Sequence, residues 1–150
     1  MFTEVLPMNH PETMDIAIEE LNKGSVIAIP TDTVYGIACL LDKEQAIHEI
    51  YHIKERDSAK AIPILIGEYE QIICTTDGIS ESAQILAQQF WPGPLTLIIS
   101  KRMDIPEILT PYPTVGVRMP KHGWLRHLIR QTGVIAATSA NISGGENPRT

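Results

Sequence analysis

The amino-acid sequence predicts an α/β protein with a layered sheet. Short β-branched runs, such as residues 26–29 and 134–137, alternate with amphipathic segments of helical spacing such as residues 11–21. Because strands separated by helices are typical of crossover connections, the alternation favours parallel strand pairings. The 150 residues, of which 43% are hydrophobic and 20% charged, suffice for one domain with a buried core.

The order of elements follows from local signals. Pro11 suits the first turn of a helix and Gly24 suits its end. A sharp turn is expected at the WPGP run of residues 91–94, and a loop at residues 105–113. Helices are predicted at 11–21, from 42 onward, at 80–90 and at 124–131, and strands at 26–29, 36–41, 62–66, 95–99, 115–119 and 134–137.

Two of these elements carry finer expectations. The helix that begins at Asp42 has Gln45 three positions on, a capping-box pattern, and its apolar stripe ends at either Tyr51 or Ile53. Pro63 indicates that the strand at 62–66 lies at a sheet edge or begins irregularly.

Composition narrows the function classes. A net charge of −6 argues against general nucleic-acid coating, so any polyanion site must be local. No apolar run is long enough to span a membrane, and the N-terminus lacks the pattern of a secretory signal, so a cytoplasmic location is expected. Cys39 and Cys74 are expected to be reduced, buried thiols.

The polar segment PTDTVYG, residues 30–36, directly follows the strand predicted at 26–29. Its hydroxyl groups, carboxylate and phenol would lie at the carboxyl end of that strand, which we expect to be buried. Ligands bind at this edge in open α/β sheets. The alternative interpretation is a plain strand-to-turn transition, since Pro, Thr, Asp and Gly are also turn residues.

Two further polar segments lie at the ends of elements. Lys54 and Arg56 close a predicted helix, where cations are favoured by the helix dipole, but they could also neutralise phosphates. Ser139 and Asn141 follow the last predicted strand and could donate hydrogen bonds to phosphate or ribose oxygens. Each signal is weak when taken alone.

Several common chemistries lack their motifs. The sequence contains no P-loop, no dinucleotide-binding glycine pattern and no serine-hydrolase elbow. His48-Glu49-Ile50-Tyr51-His52 does match the zincin pattern on a predicted helix. That helix already uses its Ile positions as a core face, and no third-ligand extension follows, which disfavours a metalloprotease.

Five ordered blocks together resemble the YrdC-like family, whose enzymatic members are L-threonylcarbamoyladenylate synthases. The resemblance covers the chain from about residue 15 onward, and five blocks in order are far more specific than any one of them. The blocks are PTDTVYG at 30–36, KER at 54–56, WPGPLT at 91–96, VGVRMP at 115–120 and TSAN at 138–141.

The resemblance implies a fold and a reaction. The fold would be a twisted open sheet of mixed parallel and antiparallel strands, flanked by helices around a concave, positively lined cleft. The reaction would join L-threonine, bicarbonate and ATP into threonylcarbamoyl-AMP, with release of pyrophosphate. A partner transferase would then modify an adenosine of tRNA, and direct tRNA contact is a further implied possibility.

The same resemblance assigns candidate residues. Lys54 and Arg56 would be catalytic as well as nucleotide-binding, Arg118 would pair with the threonine carboxylate, and Mg²⁺ would arrive with ATP rather than on protein ligands. The ATP-binding candidates are Lys54, Arg56, Lys60, Thr114, Ser139, Asn141 and Asn147. The threonine-binding candidates are Thr31, Thr33, Tyr35, Arg118 and Thr138.

Two departures accompany the resemblance. Leu65 stands where many members of the family place a histidine near the threonine pocket. Residues 1–150 are expected to form a single domain that lacks the C-terminal portion of the family domain, which bears on its activity as an isolated piece. The alternative function is a non-catalytic, RNA-binding or ribosome-associated paralogue, which the acidic net charge does not favour.

Overall fold

The structure is a computed structural model that describes residues 3–146 and residue 148. Its helices and strands follow the predicted order, with one additional 3₁₀ helix at Tyr69–Cys74. The helices are α1 (Thr13–Lys23), α2 (Glu44–Ile53), α3 (Glu81–Phe90) and α4 (Gly123–Thr132). The strands are β1 (Ile27–Ile29), β2 (Gly36–Leu40), β3 (Ile64–Leu65), β4 (Leu97–Ser100), β5 (Thr114–Arg118) and β6 (Ile135–Ser139).

The six strands form one sheet in the order β1-β2-β6-β3-β5-β4. Only the β3–β5 pair runs parallel, whereas β1–β2, β2–β6, β3–β6 and β4–β5 are antiparallel. The parallel pairing expected from alternation is therefore wrong for most neighbours, and the mixed sheet implied by the family resemblance is confirmed.

The position of β6 explains this difference. Strands β2 and β3 point in the same direction, as a crossover through α2 requires, but they are not neighbours. The last strand, β6, lies between them and pairs with both in the antiparallel sense. Local sequence patterns carry no information about a strand that arrives from so far along the chain.

Helices cover the two faces of the sheet unequally. On the first face, α2 packs through Ile47 and Ile50 against a cluster that extends to β5 and β4. On the second face, α1 and α4 pack over β1, β2, β6 and Leu65 of β3. None of the described residues of β4 or β5 belongs to that second cluster, and Ile98 of β4 is 69% exposed. The second face of β5 and β4 is thus open, and we call it the open half-face.

Local signals at the helix ends were mostly reliable. Gly24 ends α1 in the left-handed conformation, with φ of 89°, and its amide donates to the carbonyl of Leu21 at 3.0 Å. The capping box predicted at Asp42 is wrong, because Lys43 is the N-cap of α2 and makes no side-chain cap. Tyr51 rather than Ile53 completes the buried face of α2, since Ile53 is 43% exposed.

Two further expectations need correction, and a third holds in one of its two alternatives. The strand expected at 62–66 begins only at Ile64, after Pro63, and it is central rather than at an edge. Strand β1, expected to be buried, is an edge strand of which only Ile29 is buried. Both cysteines are free and Cys39 is buried as expected, but Cys74, the last residue of the 3₁₀ helix that the sequence patterns did not predict, is exposed. None of the described helices is long and apolar enough to cross a membrane.

Candidate functional site

The loop at residues 30–35, which joins β1 to β2 and which we call the bridging loop, is held in shape by one hydroxyl group. Thr31 Oγ1 accepts hydrogen bonds from the amides of Thr33 and Val34, each at 3.1 Å. The same oxygen donates to the carbonyl of Val34 at 2.6 Å. Thr31 therefore acts as a turn-forming residue, and the turn presents Asp32 and Thr33 together.

The bridging loop reaches across the sheet to Arg118, the last residue of β5. Arg118 Nη2 donates to a carboxylate oxygen of Asp32, and Nη1 lies 3.4 Å from the hydroxyl of Thr33. Arg118 Nε donates to the carbonyl of Gly93 at 3.0 Å. The side chains of Arg118 and Asp32 are only 15% and 13% exposed. This ion pair is therefore largely withdrawn from water, where a charge interaction is screened less than at the surface.

The WPGP turn supplies the third partner of Arg118. Trp91 Nε1 donates to the carbonyl of Leu95 at 2.8 Å and closes the turn that the sequence predicted. The amide of Gly93 donates to the carbonyl of Met119 at 2.8 Å, which ties the turn to the end of β5. The carbonyl that receives Arg118 is thus held in place by the residue that follows Arg118.

A pocket of about 230 Å³ lies between the bridging loop and the open half-face. Drug-sized ligands occupy pockets of about 300–1,000 Å³, so this one suits a smaller molecule. Its walls combine several hydroxyl groups with apolar surface and a single charged side chain, that of Arg118. The lining residues are Thr31, Thr33, Val34, Gly36, Pro63, Leu65, Thr96, Arg118, Ala137, Thr138 and Ser139.

The three polar segments identified in the sequence converge beside this pocket. The amide of Ala140 donates to the carbonyl of Tyr35 at 2.8 Å, which joins the bridging loop to the turn after β6. We call residues 139–145 the exit turn. The amide of Ser143 in turn donates to the carbonyl of Lys54 at 2.9 Å, which joins the exit turn to the end of α2.

Lys54 is the buried centre of this junction. It is 2% exposed, and its ammonium donates to the carbonyl oxygens of Ser139 and Asn141, with the side-chain oxygen of Asn141 at 3.5 Å. Burial, and secondarily the charge of Arg56, lowers the pKa of Lys54. All three donors of the ammonium are thus directed at oxygens of the exit turn, and a phosphate contact requires a change of partners.

Arg56 organises the loop that follows α2. Its Nε donates to the carbonyl of Lys60 at 3.0 Å and its Nη2 to that of Ala61 at 2.8 Å. The hydroxyl of Tyr51 donates to the same Lys60 carbonyl at 3.0 Å. Burial raises the pKa of Tyr51, so this phenol stays protonated and keeps its donor role. The side chain of Lys60 itself is exposed.

Comparison with known proteins places these features in one family. The family model Sua5/YciO/YrdC, described as "Telomere recombination", matches residues 19–150. This match spans most of the chain and includes all five sequence blocks. The chain belongs to the Sua5/YciO/YrdC family. The resemblance predicted from the ordered blocks is confirmed.

Curated relatives extend the match. Threonylcarbamoyl-AMP synthase of Pyrococcus abyssi is 40% identical over 135 residues, which cover 89% of this chain and 40% of that protein. The enzyme of the same name from Bacillus subtilis is 37% identical over 149 residues, covering 97% of this chain and 43% of that protein. The chain therefore spans about two fifths of the length of these curated relatives.

A solved structure supports the fold. A crystal structure of Pyrococcus abyssi Sua5 complexed with L-threonine superposes with a TM-score of 0.88 at 37% identity. The superposition covers 97% of this chain and 42% of that one. The open mixed sheet with its flanking helices is thus the fold of this family.

Most residues that the family resemblance assigned to threonine surround the small pocket. Thr31, Thr33, Arg118 and Thr138 all line it. Tyr35 does not; it lines a neighbouring pocket of about 300 Å³ together with His122. Leu65 lines the small pocket, so apolar surface occupies the position where the family resemblance led us to look for a histidine.

Two of the nucleotide candidates, Ser139 and Thr114, lie at one end of the sheet. Ser139 belongs both to the small pocket and to the exit turn, where its hydroxyl donates to the side-chain oxygen of Asn141. Thr114 lies at the same end of the sheet. Val117 of β5 and Ala136 of β6 both pair with Ile64 of β3, and β5 and β6 run in opposite directions. Thr114 precedes Val117 by three residues, and Ser139 follows Ala136 by three. Asn147 lies outside the described residues.

Sequence reasoning missed two contributors. Asp32 was treated as one polar residue among several, and Gly93 only as part of a turn, yet both contact Arg118. Asp32 contacts Arg118, which lies 86 positions away, so no local pattern in the sequence could reveal its role.

Among the described residues, the structure adds no third metal ligand to the zincin-like pattern. His48, Glu49 and His52 are all exposed on α2, and residues 3–146 contain no group of three or more His, Cys, Asp or Glu side chains that could hold a metal ion.

Proposed function

We propose that this chain carries the substrate pocket of a threonylcarbamoyl-AMP synthase. The proposed reaction joins L-threonine, bicarbonate and ATP and releases pyrophosphate, which makes the protein a nucleotidyltransferase. The observation that carries the proposal is the small pocket with a single guanidinium among hydroxyl groups, next to a junction of basic and hydroxyl residues. The names of the relatives and the threonine complex of the Pyrococcus protein support the same reaction.

In this proposal, Arg118 receives the carboxylate of threonine. Nε of the guanidinium is engaged by the carbonyl of Gly93 and Nη2 by Asp32, so Nη1 is the nitrogen with donor capacity for that carboxylate. The hydroxyls of Thr33 and Thr138 line the same pocket and are available to the polar groups of the amino acid. Apolar surface from Val34 and Leu65 suits the methyl group of threonine.

The reaction then needs charge neutralisation more than a nucleophile from the protein. The threonine amine attacks the carbon of bicarbonate, water leaves, and an oxygen of the resulting carbamate attacks the α-phosphorus as pyrophosphate departs. Fixed positive charge and hydrogen-bond donors are the principal means of stabilising such steps. We assign this role to Lys54 and Arg56, with Lys60, Thr114, Ser139 and Asn141 completing the nucleotide site.

Mg²⁺ fits this scheme as a companion of ATP. Magnesium binds through one or two carboxylates and the substrate phosphates rather than in an all-protein cage. It would supply charge neutralisation on the phosphates. We further propose a cytoplasmic reaction, with a tRNA-modifying transferase as the consumer of the product and tRNA as its acceptor, and residues 1–150 as part of a single domain.

The experiment is the three-substrate dependence of pyrophosphate release. The protein is incubated with ATP, L-threonine and bicarbonate, and each substrate is omitted in turn. We expect release only when all three are present, and the assay compares this chain with a form extended at its C-terminus. ATP turnover that ignores threonine, or RNA binding with no pyrophosphate release by the extended form, would contradict the proposed function.

A further inference from the structure

We infer that Asp32 is a positioning residue for Arg118, which sets the part of the guanidinium that a ligand in the small pocket can reach. The inference rests on the proposed function for the identity of that ligand as an amino acid. Asp32 itself does not line the small pocket.

The contacts of Arg118 show which of its nitrogens remain available to a ligand. The guanidinium has three nitrogens. Nε is engaged by the carbonyl of Gly93 at 3.0 Å, and Nη2 by the carboxylate of Asp32. Nη1 makes only the long 3.4 Å contact with the hydroxyl of Thr33. Two partners therefore hold the guanidinium, and Nη1 retains donor capacity for a ligand carboxylate.

The location of Asp32 separates positioning from direct binding. Thr33 and Arg118 line the small pocket, but Asp32 does not. Its side chain is 13% exposed, and Arg118 is its salt-bridge partner. The carboxylate thus lies beside the pocket, where it can act on a ligand only through Arg118.

The chain topology explains why such a residue is needed. Arg118 ends β5 on the open half-face. An arginine side chain there has many rotamers, and holding it in one orientation costs conformational entropy. Asp32 reaches it from the bridging loop, across β2, β6 and β3, and that loop is itself fixed by Thr31. The pair therefore orders Arg118 before a ligand arrives.

The test is a double-mutant cycle on threonine affinity, measured by calorimetric titration of L-threonine into wild-type protein, Asp32→Asn, Arg118→Lys and the double variant. Asparagine keeps the size and one acceptor oxygen but removes the charge. We expect Asp32→Asn to weaken threonine binding on the order of 10-fold or more, because small misplacements of a binding group are costly. In the Arg118→Lys background, the same substitution should have little further effect.

Controls separate positioning from folding. Asp104→Asn removes the carboxylate of the exposed Arg102–Asp104 pair, whose side chains are 36% and 66% exposed, and should leave threonine affinity unchanged. ATP affinity should stay near the wild-type value in Asp32→Asn, and Asp32→Glu should recover part of the threonine affinity. A variant that loses threonine and ATP binding equally would indicate a merely structural role and overturn the inference.

Three further outcomes would contradict either the inference or the proposed function. Tighter threonine binding by Asp32→Asn would mean that Asp32 competes with the ligand for Arg118, and an undiminished effect in the Arg118→Lys background would mean that it acts elsewhere; either overturns the inference. Failure of the wild-type protein to bind threonine would contradict the proposed function instead. In that case, the ¹⁵N spectrum of the Arg118 guanidinium decides, with hindered Nη rotation expected in the wild type and faster rotation in Asp32→Asn.

Discussion

The ammonium of Lys54 donates to the carbonyl of Ser139, so the end of α2 is joined directly to the last residue of β6. A second bond, to the carbonyl of Asn141, extends the connection into the exit turn. One buried charge therefore holds in register two segments that lie 85 positions apart. The nucleotide candidates on both segments depend on this connection for their relative placement.

Replacing Lys54 with methionine should destabilise the junction between α2 and the exit turn and weaken ATP binding. Methionine is unbranched and one atom shorter than lysine, and it donates no hydrogen bond, so the carbonyl groups of Ser139 and Asn141 lose their partner. We expect the free energy of unfolding to fall by about 2 kcal/mol, since buried acceptors without partners are costly. Urea denaturation measures this, and an ATP titration of the folded variant should show weaker binding. Lys121→Met, at an exposed position, is the control and should change neither quantity.

Arg118→Lys should affect threonine rather than folding. Lysine keeps the positive charge but lacks the planar fork, so it cannot contact Asp32 and the carbonyl of Gly93 and also present a fixed donor to a carboxylate. We expect threonine affinity to fall by about tenfold or more, since charge-assisted hydrogen bonds are the stronger ones. Calorimetric titration checks this, with Arg102→Lys as the matched control at the exposed pair. Equal threonine affinity in wild type and Arg118→Lys would remove Arg118 from the proposed site.

Gly67→Ala should destabilise the contact between the chain after β3 and helix α4. An added Cβ at Gly67 would lie 2.5 Å from the carbonyl oxygen of Arg126 and 3.1 Å from the amide nitrogen of Arg130, both in the α4 backbone. Forced overpacking of this kind costs about 1–3 kcal/mol. Gly78→Ala is the control, because nothing lies within 4 Å of its added Cβ. Comparison of the two urea midpoints tests the prediction, and similar midpoints would contradict it.

The two cysteines should differ sharply in reactivity. Cys39 is fully buried in β2, and burial, assisted by the charge of Asp42, raises the pKa of its thiol to about 12. Cys74 is exposed. Since alkylation requires access and a thiolate, iodoacetamide at neutral pH should modify Cys74 alone in the native protein. Mass spectrometry should find one adduct, and two after denaturation; native labelling of Cys39 would contradict the described core.

The same thiol should make stability depend on alkaline pH. The folded state holds the Cys39 proton to about pH 12, whereas a reference thiol ionises near 9.0. The contribution of Cys39 is therefore fully present below pH 9.0 and is lost as the pH rises toward 12. Relative to Cys39→Ala, the wild-type protein should lose unfolding free energy between these limits. Parallel pH profiles of the two proteins in urea denaturation would contradict this.

The order of helices and strands was predictable because it follows from local signals. Gly24, Ser80 and the WPGP turn mark element boundaries through their own conformational preferences, and the structure respects them. Strand neighbours were not predictable in this way. The insertion of β6 between β2 and β3 depends on contacts between residues about 70 to 100 positions apart, such as Ala38 with Ala137.

The candidate site was likewise predictable only in part. The polar segments themselves were visible, since hydroxyl, carboxylate and basic residues follow apolar runs. The partners within the site were not: Asp32 with Arg118, and Lys54 with the carbonyl groups of the exit turn, are pairs formed by the tertiary fold. The resemblance to a family indicated which segments belong together, but the direct bonds that join them appear only in the structure.

Strand β6 follows the other five strands in sequence, and this order has a consequence for synthesis. Before residues 135–139 leave the ribosome, β2 lacks its inner neighbour and β3 lacks one of its two. A nascent chain at that stage holds two incomplete half-sheets with exposed strand edges, which are prone to pair with other chains. Strand β6 closes these edges, and it brings the exit turn to Lys54 at the same time. Assembly of the sheet and assembly of the site are therefore one event, which requires that β6 and the exit turn have been made.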